Sequence, residues 1–331
     1  MNSSNLLSNS SAPASVLYER YSMGAVYCVL SLVGIVLHVF VFWCIVKTQS
    51  SQCSIRSLPT FYFLLSILYL NDLIKLLYFL LHAAPCTVVG GQLVGPDMAF
   101  YIGESESVNY LSIVTSTVFI SVNRAFGLGG HNRVIDTIFS RRGCLLSGVT
   151  GWVLGVLMIW VNWATFRCHT VFDVNRYVYL TICDVPGINS SLAPVSIFVY
   201  VGVFGVSVFY VYALWIIKKS RALVSDTNTE QRIKKRQVML LWQAMGIWLG
   251  LVGNALAFRV MPVFVADRFV SAIASAVIII GQSYVTPICA LIFVRGIRVQ
   301  ARNSILGAVG GFKQQLISAP KSTPVVPVGP Q

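Results

Sequence analysis

The chain has 331 residues, of which 56% are hydrophobic and 11% charged, and its mean hydropathy is +0.74. A soluble domain carries about 25% charged residues, so this chain cannot clothe a water-facing globule, and it is too apolar to be disordered over most of its length. A net charge of +13 would suggest nucleic acid in a soluble protein; in a membrane protein it is a bias between the two faces, and no nucleic-acid partner is expected.

In chain order, residues 1–21 are rich in Ser and Asn, with Asn-x-Ser tripeptides at Asn2 and Asn9. They lack a basic start and an early apolar core, so they read as a polar extracellular tail and not as a cleavable signal. A hydrocarbon core about 30 Å thick needs roughly 20 apolar residues in helical form. Seven stretches qualify: 22–46, 59–81, 98–124, 143–166, 194–217, 238–260 and 269–294. They are continuous and do not alternate, which predicts helices and not barrel strands. The fold class is therefore an all-α membrane protein, a seven-transmembrane helix bundle over residues 22–306. After the last span, Arg295, Arg298 and Arg302 recur at helical spacing opposite Ile297, Ala301, Ile305 and Ala308. That pattern predicts a short amphipathic helix on the inner leaflet. Pro320, Pro324, Pro327 and Pro330 mark 307–331 as a disordered cytoplasmic tail.

Seven spans put the termini on opposite sides. Eighteen of the 24 basic residues fall on the side of the C-terminus, so that side is cytoplasmic and the N-terminus lies outside. The glycosylation tripeptides at Asn2, Asn9 and Asn189 all fall on the outer side. Lys218 to Arg236 holds seven basic and two acidic residues, suited either to anionic lipid headgroups or to a cytoplasmic partner.

Catalysis has little to work with. The four histidines, His38, His82, His131 and His169, show no metal-ligand spacing; there is no Gly-x-Ser-x-Gly elbow and no pair of intramembrane aspartates. No cofactor is expected. Seven unique helices without an inverted repeat fit a transporter poorly, although a transporter of a small solute stays as the alternative to a signalling receptor. Asp72 sits about 20 Å into its span, where a charge costs about 2.5–3.5 kcal/mol and calls for a polar partner. Glu104 and Glu106 lie about 27–30 Å above Arg124 along the third helix, with Lys75 at similar height. These three are a candidate ligand mouth or, more plainly, solvated rim charge.

Ile120-Ser121-Val122-Asn123-Arg124, then Ile135-Asp136-Thr137-Ile138-Phe139-Ser140, then Cys168…Phe172-Asp173…Cys183 carry a resemblance. With them the chain resembles the rhodopsin-like G-protein-coupled receptors and, more closely, is similar to the nematode chemosensory receptors called serpentine receptor class X. Asp72, His38, Trp152 and Thr286-Pro287 stand at receptor landmarks; Ala290 replaces an expected Tyr, and the sixth helix lacks a proline. The resemblance implies a plasma-membrane chemoreceptor that binds a small-molecule ligand outside and activates a heterotrimeric G protein inside. It implies a polar cluster of Asp72 with His38, Gln282, Ser283, Thr286 and Pro287. It also makes Arg124, with Asn123 and Asp136, the G-protein switch. A Cys168–Cys183 disulfide follows from it, with a bridge from Cys86 as the alternative.

Overall fold

A computed structural model of the chain describes residues 13–51, 59–128, 137–185, 194–221, 238–239, 241–256, 265 and 267–318. Helix α1 covers Ala14–Ser51 and α2 covers Pro59–Tyr78; a π turn, Phe79–Ala83, leads into α3, Ala84–Val89. Next come α4 (Pro96–Leu128) and α5 (Arg141–Phe166), then a hairpin of β1 (Cys168–Asp173) and β2 (Val178–Cys183). After it run α6 (Pro194–Arg221), α7 (Leu241–Leu256), α8 (Arg268–Phe293) and α9 (Arg295–Ser318).

Among the described residues six helices are long and apolar enough to cross a membrane, and α7 is a shorter apolar one. This is a multi-pass membrane protein. Its outward faces carry large apolar side chains such as Val36, Trp160, Trp163, Phe204 and Val211, a continuous apolar surface that only lipid tolerates. Asn2, Asn9, Arg133, Asp136, Asn189, most of the 218–236 segment and the Pro-rich tail lie outside the described residues.

Local chemistry sets several boundaries. The Ser140 hydroxyl accepts from the Gly143 amide and starts α5, and Asp267 caps α8 through the Val270 amide. The π turn precedes Pro85, which has no N–H for Leu81 and crowds that carbonyl; the widened turn points Phe79 and His82 inward. Gly90 ends α3 at φ 76°, a left-handed cap that glycine adopts without a Cβ clash. Beyond the last span Ile297 and Ala301 are buried whereas Ile305 is exposed, and α9 runs on to Ser318, past residue 306.

Helix α4 is the hub, packing against α2, α5, α6 and β1, while α1 packs against α2, α3, α8 and α9. Two apolar clusters form the core. The larger joins Leu65, Leu111, Val206, Leu251 and Ala290 with neighbours along the bundle. The second, at the hairpin end, joins Tyr27, Phe79, Phe172, Tyr179 and Ile280.

The hairpin departs from the purely helical expectation. Its register pairs Cys168 with Cys183 and Asp173 with Val178, and β1 alternates buried and half-buried residues. The Asp173 carboxylate closes the turn, accepting from the amides of Asn175 at 2.8 Å and Arg176 at 3.3 Å. Six-residue strands leave a period-two pattern too short to stand out beside 25-residue apolar runs.

Candidate functional site

The hairpin folds down onto the bundle. Gly103 on α4 lies so close to β1 that a Cβ there would sit 2.0 Å from the Thr170 carbonyl oxygen. Next to it Glu104 accepts from the Thr170 amide at 2.7 Å, and Ser107 donates to the Thr170 hydroxyl at 2.8 Å. Gln92 donates to the Phe172 carbonyl at 2.7 Å. The Tyr27 hydroxyl donates to the Tyr177 carbonyl, and His82 pairs with the Tyr179 hydroxyl at 2.9 Å. Rings of Tyr27, Phe79, Phe172 and Tyr179 stack edge-on or tilted around this contact. Burial pushes the Tyr179 phenol well above its usual range, so this hydroxyl stays protonated and able to donate.

A disulfide joins Cys168 to Cys183 across the hairpin base. Cys86 is a free, buried thiol in α3, so the alternative bridge does not form. Its position explains why: the widened turn carries it inside the second apolar cluster.

Below the hairpin lies a cavity of about 300 Å³, within the usual range for a small-molecule site. Lys75, Phe79, Glu106, Tyr110, Tyr179, Tyr200 and Asn254 line it, together with residues of β2, α6 and α8. These charges do not form a solvated rim. Lys75 is 1% exposed, with its ammonium donating to the Ile279 carbonyl at 2.9 Å and to Gln282 Oε1 at 3.0 Å. Glu104 is buried against the hairpin, and Glu106 faces the cavity. An unpaired lysine would snorkel to water; acceptors on α8 hold this one inside.

The expected intramembrane cluster is two clusters. In one, Thr286 donates to Asp72 Oδ2 at 2.7 Å, His38 Nε2 lies 3.9 Å from the same oxygen, and His38 Nδ1 donates to the Gly34 carbonyl at 2.8 Å. Tyr69 reaches the Thr286 carbonyl at 3.4 Å, beside the buried Pro287. In the other, Gln282 Oε1 accepts from both Lys75 and Asn254. Asn254 is absent from the set read in the sequence; its signal was an amide inside an apolar span, which the lipid phase penalises unless it is bonded. Ser283 is fully buried, and its hydroxyl has no hydrogen-bond partner among the described residues.

At the far end of α4, Asn123 and Arg124 are buried, and Tyr210 of α6 lies within electrostatic reach of Arg124. Phe139 plugs the core just before the Ser140 cap. That gives the Ile138-Phe139-Ser140 motif a structural purpose; Asp136 precedes the described part of it.

The family model of serpentine-type seven-transmembrane G-protein-coupled chemoreceptors, Srx, matches residues 28–283. No curated protein matches the chain. The matched stretch takes in every described helix from α2 to α7, most of α1 and α8, and the disulfide-bonded hairpin, and on that match the chain belongs to the Srx serpentine chemoreceptor family.

Proposed function

We propose that the protein is a plasma-membrane chemosensory receptor with its N-terminus outside, its hairpin facing the external medium and its C-terminus in the cytoplasm. The charge bias favours this orientation, and so does a disulfide at the hairpin end, since disulfides persist on the oxidising side. The family is a receptor class and not an enzyme family, which disfavours the transporter alternative as well. A small molecule enters the cavity under the hairpin and favours the conformation it binds best. A heterotrimeric G protein then meets the opposite end, with Arg124 as the contact, Asn123 next to it in the chain and Asp136 twelve residues on as the third member of the switch. Linkage makes the two binding events reciprocal.

The observation that carries this reading is the chain of polar contacts running inward from the cavity. Lys75 lines the cavity and bonds to α8 through Gln282, and one turn away Asp72 bonds to α8 through Thr286. A ligand that moves Lys75 therefore acts on the helix pair that runs toward the far end. The test is Arg124→Ala in a heterologous cell, scored for surface amount and ligand-driven G-protein activation. Normal surface amount with activation lost supports the assignment; wild-type signalling from the surface-exposed variant contradicts it.

A further inference from the structure

Among the described residues, two acceptors on the cavity wall, Asn254 Oδ1 and the Glu106 carboxylate, carry no hydrogen bond. Two of the three Lys75 donors are spent on Ile279 and Gln282. One N–H of the Asn254 amide is spent on the same Gln282 oxygen. Hydroxyls of Tyr110, Tyr179, Tyr200 and Ser196 on the lining can donate or accept, and two further groups only accept. Asn254 is 1% exposed, lines the cavity, and its Oδ1 has no partner among the described residues. Glu106 lines the cavity too, and among the described residues it forms neither ion pair nor hydrogen bond. A half-buried carboxylate that makes no hydrogen bond calls for a donor.

Charge points the same way. Lys75 lies in the field of both Asp72 and Glu106, and Glu106 in the fields of Lys75 and Glu104. Among the described residues, Asp72, Glu104 and Glu106 thus stand around the Lys75 ammonium. The walls add aromatic faces from Phe79, Tyr110, Tyr179 and Tyr200, surfaces that attract cations. Lys75 itself lies 5.9 Å from the Tyr110 ring centre.

From these unpaired acceptors and the charge count we infer that the cavity takes a small organic cation, an amine on a short apolar or aromatic body. Its ammonium donates to the Glu106 carboxylate and to Asn254 Oδ1 while the body lies among the tyrosines. Binding of the amine stands on the cavity alone; only its signalling consequence rests on the receptor reading. A carboxylic acid would meet the Glu106 carboxylate head-on, a like-charge contact that the remaining Lys75 N–H and the tyrosine hydroxyls do not remove. A neutral alcohol would leave the Glu106 charge unpaired.

The test uses the full chain purified in detergent and three probes of nearly equal shape: phenethylamine, phenethyl alcohol and hydrocinnamate. The amine is expected to raise the thermal midpoint in a saturable manner, with no shift from the alcohol or the acid. Glu106→Gln is expected to weaken the amine about thirtyfold or more, the usual consequence of removing one partner of a buried charge pair. Should that variant fail to accumulate, Glu106→Asp keeps the charge and is expected to bind the amine more weakly and still exclude the acid. The inference is overturned if hydrocinnamate stabilises and the amine does not, if Glu106→Gln binds the amine like wild type, or if none of the probes shifts the midpoint. The midpoint is read without a G protein. An amine shift without nucleotide exchange would therefore count against the signalling reading and leave the cavity assignment standing.

Discussion

Glu104 and Glu106 are two residues apart on α4 and serve different ends. Glu104 is turned to the hairpin, where its carboxylate takes the Thr170 amide; Glu106 is turned to the cavity. Glu104→Ala leaves a buried backbone N–H without its acceptor, a loss of about 1–3 kcal/mol. Glu104→Gln keeps an oxygen there and is expected to lose far less. Thermal unfolding in detergent should therefore rank wild type, then Gln, then Ala; equal midpoints for Ala and wild type would remove Glu104 from the hairpin's support. Lys75 shows what a single sequence hides at this scale. Its depth along the span follows from the helical rise, but whether it snorkels or stays inside depends on Gln282, 207 residues further on.

The hairpin is the element that turns the bundle into a vessel. Contacts from Gly103, Glu104, Ser107, Gln92, His82 and Tyr27 fasten it to α4, the α3–α4 connection, the π turn and α1, and the disulfide ties its base across a 15-residue separation. Closing a loop of that length is worth about 3 kcal/mol in the chain-entropy picture. Cys168→Ser and Cys183→Ser are expected to lower surface amount and thermal midpoint to the same degree, and the double variant no further. A double variant that adds the two single losses would mean the cysteines act separately. The long helices could be read from the sequence, because in lipid each segment must satisfy its own backbone and so needs a long apolar run. The strands could not: six residues carry little periodicity, and their stability comes from partners on α4 and α1 that the sequence does not place beside them. The Cys168–Cys183 pairing was legible only through resemblance to a family, since three cysteines on one face allow more than one bridge.

At the scale of the whole molecule, a cavity at one end and a buried arginine at the other are joined by α4, which carries both Glu106 and Arg124, and by the α2–α8 contacts of Lys75 and Asp72. The sequence made the bundle and the depth of Asp72 legible. It did not show that the polar residues divide into two groups, because that division depends on which faces of α2, α7 and α8 meet. The central claim is that occupancy of the cavity drives signalling at the opposite end. The most direct measurement is GTPγS incorporation by membranes carrying the full chain and a G protein, stimulated by phenethylamine, for wild type and for Thr181→Trp. Thr181 lines the cavity from β2, a strand position that accepts an aromatic side chain, so the variant fills the cavity without breaking the hairpin. The account predicts stimulated incorporation for wild type, and none for Thr181→Trp at equal surface amount. A Thr181→Trp receptor that responds like wild type would contradict it.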